Sequence, residues 1–171
     1  MVRALFPGTF DPIHYGHMDI ANRASRLFDE VVVAVYDKPL KSLFFSPEER
    51  IALVKEALRD NAKIKVTGYS GLTVEFARKI GAQVIVRGLR VFSDFEFEFR
   101  MALANHRLLP QVEYMALITA EEHTFLSSST VREIASLGGD VSSMVPPHVE
   151  RALAQKLSGM GDQHLPNAIR D

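Results

Sequence analysis

Val2-Arg3-Ala4-Leu5-Phe6 runs into Pro7-Gly8-Thr9-Phe10-Asp11-Pro12, and Val31-Val32-Val33-Ala34-Val35 follows one helix-length later. The first run is short, mostly apolar and closed by Pro-Gly. The second is β-branched throughout. Both predict buried strands. Between them Ile20, Ala21, Ala24, Leu27 and Phe28 recur at helical spacing. Two parallel strands need such a crossover, so residues 2–35 predict a strand-helix-strand unit.

The same alternation continues down the chain. Ser46-Pro47-Glu48-Glu49 combines a serine cap, proline at the first helical position and glutamate at the third. Ile51, Val54, Ala57 and Leu58 carry that helix forward as an apolar face, with Lys55, Glu56 and Arg59 on the wet side. A third strand is predicted over 64–66, a helix over 72–80 stopped by Gly81, and a fourth strand over 84–86. Asp94-Phe95-Glu96-Phe97-Glu98-Phe99 alternates with period two, but Arg100 to Ala104 favours helix. A helix over 94–108 is expected, capped by Asp94, with Phe95, Phe99, Ala102 and Leu103 on one face. A fifth strand follows over 114–118, a helix over 129–137 closed by Gly138-Gly139, and a last helix over 149–157 after Pro146-Pro147. The expected fold is α/β: a single Rossmann-like, doubly wound domain over residues 1–157. It has a five-stranded parallel sheet with helices on both faces. The tail 158–171 lacks periodicity and is expected to fray.

Composition narrows the chemistry. The 171 residues suffice for one ordinary core, and 47% apolar with 24% charged residues is a globular mixture. The absence of cysteine rules out disulfides, thiolate catalysis and cysteine-metal sites. A net charge of -1 lacks the basic excess of a nucleic-acid binder. No apolar run reaches the length of a membrane span, and no secretory leader is evident, so a cytoplasmic protein is expected.

Chemistry gathers where the first strand meets the first helix. Asp11-Pro12 is followed by His14-Tyr15-Gly16-His17. The free N–H groups of a helix start attract phosphate, a small Gly16 permits close approach, and two imidazoles add directed donors. Zinc would need a third protein ligand, and His106, His123, His148 and His164 show no ligand spacing, so no protein-held metal is expected. Neither a P-loop nor a Gly-x-Gly-x-x-Gly fingerprint occurs. Arg87 and Arg90 follow the fourth strand, where an open α/β sheet places its ligands, and guanidinium binds phosphate in a two-pronged way. Ser127-Ser128-Ser129-Thr130 opens a helix with Val131, Ile134 and Ala135 on its apolar side. At least one hydroxyl there is expected simply to cap, while Arg132 stands one turn on. Taken alone, Lys41 reads as a solvated lysine among Lys38, Pro39 and Ser42.

Pro7-Gly8-Thr9-Phe10-Asp11-Pro12 with His14-Tyr15-Gly16-His17 resembles the nucleotidylyltransferase superfamily, whose motif is (His/Thr)-x-Gly-His. Val86-Arg87-Gly88-Leu89-Arg90, Asp94-Phe95-Glu96-Phe97-Glu98 and Phe125-Leu126-Ser127-Ser128-Ser129 narrow the likeness to the bacterial phosphopantetheine adenylyltransferase family, over residues 5–157. In that family the first motif position is often threonine; here it is His14. The resemblance implies an enzyme that joins ATP and 4′-phosphopantetheine to give dephospho-coenzyme A and pyrophosphate. It implies a catalytic set of Thr9, His17, Lys41 and Arg90, and an ATP site of Thr9, Phe10, His14, His17, Gly88, Leu89, Arg90, Glu98 and the run His123, Thr124, Phe125, Leu126, Ser127, Ser128, Ser129. The acceptor site it implies is Thr9, Lys41, Thr73 and Arg87. Mg²⁺ riding on the ATP phosphates, a homohexamer and feedback inhibition by coenzyme A complete the expectation. No nucleic acid or membrane partner is expected. Phe44, Phe45 and Phe97 are candidates for a subunit contact, though burial is the commoner fate of phenylalanine. Two readings stay open beside this one: the same transfer to another phosphorylated acceptor, such as nicotinate mononucleotide or a sugar or glycerol phosphate, and a non-catalytic nucleotide sensor. A flavodoxin-like redox module lacks a cofactor signature.

Overall fold

The structure, a computed structural model, describes residues 1–37 and 43–160. Five strands form one parallel sheet: β1 (Arg3–Gly8), β2 (Glu30–Tyr36), β3 (Ile64–Tyr69), β4 (Val84–Leu89) and β5 (Glu113–Ile118). Their order across the sheet is β3-β2-β1-β4-β5. The chain therefore winds outward from β1 to β3, crosses back and continues on the other side. The reversal lies between β1 and β4, where Ala4 pairs with Val84 and Leu5 with Ile85.

Alternation of side chains sorts the strands onto two faces. Ala4, Phe6, Val31, Val33 and Val35 join one core with Ile20 and Ala24 of α1 (Tyr15–Leu27) and with Val54 of α2 (Pro47–Ala57). Val131 of α5 (Ser128–Ser136) and Val149 and Leu153 of α6 (Pro147–Met160) complete that core. Leu5, Val32, Ala34 and Ile85 point the other way, onto Val74 and Ala77 of α3 (Thr73–Lys79). Each such aliphatic side chain contributes roughly 1.5–3 kcal/mol by leaving water, which is why β1 and β2 read as unbroken apolar runs.

Local signals explain most element ends. Ser46 and Glu49 form a reciprocal cap: the Glu49 N–H donates to Ser46 Oγ at 3.2 Å, and the Ser46 N–H to Glu49 Oε2 at 2.7 Å. Gly81 takes φ +66° just beyond α3, a conformation that side chains disfavour. At the close of α5, a Cβ on Gly139 would stand 2.6 Å from Ile134.

Some expectations need correction. β1 runs on through Pro7-Gly8 instead of stopping before them. Leu27, assigned to the buried face of α1, is 60% exposed, because the helix ends there and Phe28 turns inward in its place. The long helix α4 spans Phe92–Leu108 and is preceded by Val91, so Asp94 is not its cap. Its shared face of Phe95, Phe99 and Leu103 is about half exposed. α6 carries regular helix through 158–160, part of the stretch expected to fray; the rest of that tail lies outside the described residues, as does Lys41.

Candidate active site

At the carboxyl ends of β1 and β4 the chain opens into a crevice of about 360 Å³. A second cavity of about 680 Å³ lies beside it, and Pro7, Gly8, Thr9, Arg87, Phe97 and Glu98 line both. The sheet dictates this placement: neighbouring strands whose crossovers leave in opposite directions part at their ends.

The floor of the crevice is the β1–α1 turn. Phe10 adopts φ +51°, a left-handed conformation that costs a non-glycine residue roughly 1 kcal/mol or more. Burial supports it: the Phe10 ring is 2% exposed and packs edge-on against Phe6 at 5.6 Å and His17 at 5.0 Å. The same ring occupies the space that a Cβ on Gly8 would need, at 2.8 Å. Asp11, 2% exposed, accepts the N–H groups of Phe44 and Phe45 at 2.8 and 2.9 Å. Arg132 stands 3.6 Å from its carboxylate and donates to its carbonyl. Phe44 and Phe45 are thereby core residues, in keeping with the commoner fate of phenylalanine.

α1 begins with histidines in the roles usually taken by serine and glutamate. The His17 N–H donates to Nδ1 of His14 at 3.4 Å, and the His14 N–H to Nδ1 of His17 at 3.3 Å. The rings stack at 3.7 Å. A Cβ on Gly16 would lie 3.1 Å from the His14 ring, so glycine here makes room for imidazole. Because both Nδ1 atoms accept, a neutral ring in this arrangement carries its proton on Nε2. Burial, assisted by Arg90 and His123, pushes His14 down to about 3. Burial, then His14, Arg90 and Arg87, holds His17 well below the ordinary histidine range. Both shifts favour uncharged rings near neutral pH, and both residues line the crevice.

The opposite wall comes from β4, α4 and α5. Arg87 donates from Nε and Nη2 to Glu98 Oε1 at 2.9 and 2.7 Å, and from Nη1 to the Pro7 carbonyl at 2.5 Å. Burial alone would lower the Arg87 pKa, but the bond and charge of Glu98 more than offset it and raise it. Tyr114 donates its hydroxyl to the other oxygen of Glu98. Glu98 is 7% exposed, so it is not a solvated helix carboxylate. Arg90 is held by Asp94, which accepts from its backbone N–H and Nε at 3.0 Å, and by the Leu126 carbonyl at 2.7 Å. Ser127 caps α5, its Oγ accepting the Thr130 N–H at 3.0 Å. Ser128 donates to the Pro12 carbonyl at 2.9 Å, which ties this turn to the first.

Of the expected site residues, Thr9, Phe10, His14, His17, Gly88, Arg90, Glu98, Ser127, Ser128 and Ser129 line the crevice. Thr9, Thr73, Arg87 and Glu98 line the second cavity, where the Thr73 hydroxyl meets Tyr69 OH at 3.0 Å. Leu89, His123, Thr124, Phe125 and Leu126 are not on the crevice wall; Leu126 is fully buried and Phe125 is 59% exposed. Tyr36, Tyr69, Met101, Asn105 and Tyr114 line the second cavity without any sequence expectation. Their only signal was position, at strand ends and on one side of α4.

A crevice that sets neutral imidazole donors against paired arginines suits a polyphosphate. Residues 5–134 match the cytidylyltransferase-like family. Phosphopantetheine adenylyltransferase of Roseiflexus sp. (strain RS-1) is 54% identical over 153 residues, 90% of this chain and 96% of that protein. The chain belongs to the phosphopantetheine adenylyltransferase family. The Cupriavidus taiwanensis phosphopantetheine adenylyltransferase is 53% identical over 92% of this chain and 98% of its own length. A solved Vibrio parahaemolyticus structure assigned as a nicotinate-nucleotide adenylyltransferase superposes with a TM-score of 0.68 at 22% identity. It covers 90% of this chain and 99% of that one, and it speaks to the fold alone.

Proposed function

We propose that this protein transfers the adenylyl group of ATP to 4′-phosphopantetheine, giving dephospho-coenzyme A and pyrophosphate. Its place among phosphopantetheine adenylyltransferases carries the substrate assignment. The observation that carries the chemistry is the pair of adjoining cavities whose common wall holds Thr9 and Arg87. The crevice of histidines and arginines suits a nucleotide triphosphate. The larger neighbour is lined by Leu72, Ile85 and Met101 with a few polar groups, which suits a long, mostly apolar arm ending in phosphate. The two substrates would meet at the shared wall.

In this reading an oxygen of the acceptor phosphate attacks the α-phosphorus of ATP. The bond to the β-phosphate bridge breaks, and pyrophosphate leaves with the electron pair. A phosphate monoester is already largely ionised near neutral pH, so no general base is needed. The protein positions two polyanions and stabilises the charge that grows at phosphorus. His17 and His14 donate through Nε2–H, Thr9 orients the incoming phosphate, and Arg87 holds it. Lys41, outside the described residues, is proposed beside Arg87. Arg90 and the start of α5 receive the leaving pyrophosphate. Asp11, Asp94 and Glu98 are committed to backbone N–H groups or guanidinium groups, so Mg²⁺ would be held by the phosphates and would neutralise part of their charge.

A homohexamer, feedback inhibition by coenzyme A and a cytoplasmic location belong to the same proposal. Phe92 and Ile118 are 88% and 75% exposed on the flank of α4 and β5, an apolar surface suited to other subunits. Coenzyme A contains both the arm and the adenylyl unit, so it would span both cavities. Among the described residues, no helix is long and apolar enough to cross a membrane.

The test supplies ATP and Mg²⁺ with 4′-phosphopantetheine or nicotinate mononucleotide and measures pyrophosphate and the adenylylated product. Turnover is expected with the first acceptor only. Turnover with the second instead, or ATP binding with no turnover, overturns the assignment.

A further inference from the structure

Among the described residues, the largest fully buried side chain is a charged one. Arg50, on the first turn of α2, is 0% exposed. Its bonds go to carbonyl oxygens rather than to a carboxylate: Thr9 at 2.8 Å and Tyr36 at 2.7 Å from Nη1, and Phe45 at 3.3 Å from Nε. Burying a guanidinium is costly, and simple helix packing would be served by leucine or methionine at this position. The three carbonyls belong to the turn after β1, the end of β2 and the entrance of α2. One planar group therefore locks the active-site turn to its neighbours.

The Thr9 carbonyl matters most. A peptide unit is planar and trans, so its C=O and the following N–H point in opposite directions. With the Thr9 carbonyl held towards α2, the Phe10 N–H is turned the other way, towards the crevice that Thr9 and Phe10 line. Among the described residues, no backbone acceptor takes that N–H. The turn does not favour this peptide orientation by itself, because Phe10 sits at φ +51°, a conformation that side chains disfavour.

We propose that Arg50 is a positioning residue for the transfer: by gripping the Thr9 carbonyl it sets the plane of the Thr9–Phe10 peptide, and so aims the Phe10 N–H and the Thr9 hydroxyl at the phosphates. Arg50 itself touches no substrate. The inference rests on the adenylyl-transfer reading above and adds to it a residue outside the expected site residues.

The experiment compares wild type, Arg50→Lys, Arg50→Ala and Val54→Ala in steady-state pyrophosphate release, with active sites counted by ATP-binding stoichiometry. Val54 is buried on the same helix and its side chain has no donor for the three carbonyls, so it supplies a stability control. Lysine keeps the charge but not the planar fork. The expected result for Arg50→Lys is kcat per active site lowered roughly 10- to 100-fold, with KM for ATP within about threefold. Val54→Ala should lose melting temperature while keeping kcat. Guanidinium at millimolar concentration should restore turnover to Arg50→Ala several-fold, and methylammonium should not. If kcat per active site of Arg50→Lys matches that of Val54→Ala, and guanidinium rescues nothing, the positioning role is overturned. A wild type that releases no pyrophosphate sinks the transfer reading itself, a result distinct from either.

Discussion

Two regions of this molecule obey the same packing rules to opposite ends. In the β1–α1 corner, polar groups dominate and are almost hidden: Asp11 and His14 are 2% and 3% exposed, and each is held by backbone groups. On the flank of α4 and β5, apolar groups dominate and face outward, with Phe92, Phe95, Phe99 and Ile118 all about half exposed or more. The first arrangement costs desolvation and fixes geometry. The second leaves apolar area in contact with water that only another surface could cover. A preorganised site at the end of β1 and an unfinished surface beside β5 thus share one sheet, with β4 between them.

The sharpest way to break the first region is His17→Ala. It removes one Nε2–H donor and one half of the reciprocal cap. We expect kcat to fall roughly 10²–10³-fold with circular dichroism unchanged, since loss of one preorganised donor commonly has that effect. Near-normal turnover in a folded variant would take His17 out of the mechanism.

The second region is broken by Phe92→Asp with Ile118→Asp. Neither side chain is buried by its own chain, so the melting temperature of the dissociated subunit should hardly move. Subunit association should weaken by roughly 100-fold, as loss of interface anchors does. Light scattering at micromolar concentration checks the mass. An unchanged mass would mean that this flank contacts no other subunit.

These two regions also differ in how far they could be read from the sequence. The strand-helix-strand unit over 2–35 was legible because three local signals agree: β-branched runs, helical spacing and Pro-Gly punctuation. The cap at Ser46–Glu49 was legible for the same reason. At α4 the helix was foreseen but its buried face was not, because Phe95, Phe99 and Leu103 have the spacing of a core stripe whatever covers them. Periodicity reports that a face is apolar and says nothing of which chain buries it. Asp94 looked like a cap, yet its carboxylate is taken by Arg90 four residues back, a competition that local propensity does not encode. Among site residues, the helix-start histidines and the two arginines were legible from their place at strand ends. The ion pair of Glu98 was not legible, because its partners, Arg87 and Tyr114, come from two different strands. Arg50 did leave a trace: with Val54 and Leu58 it repeats every four residues, which puts it on the buried stripe of α2.

Arg87→Lys sharpens the boundary between the two regions, since Arg87 joins the β1 turn to α4 through Pro7 and Glu98. An ammonium cannot make the three directed bonds of this guanidinium at once. KM for the acceptor should rise about tenfold, consistent with loss of one charge-assisted hydrogen bond. KM for ATP should change less. An equal rise in both would place Arg87 on the nucleotide instead of the shared wall.

The smallest expected effect concerns how the corner tolerates acid. His14 falls from 6.5 to about 3 because burial and Arg90 disfavour its charged form. Between those values the unfolded chain binds a proton that the folded one refuses, so folding stability rises with pH through this window. The contribution is fully present above about pH 6.5 and is lost progressively as pH falls towards 3; His17, shifted in the same direction, adds to it. Asn at position 14 can still cap the helix and carries no titrating group. Between pH 7 and pH 6, wild type should therefore lose up to about 1 kcal/mol more stability than His14→Asn, read from urea melts at both values. The carboxylates held low by their partners, Asp94 and Glu49, contribute equally to both proteins and only at lower pH. Parallel losses in the two proteins would mean that water or a counter-ion reaches the stacked imidazoles, and the neutral donors drawn for the transfer step would then have to be redrawn as charged ones.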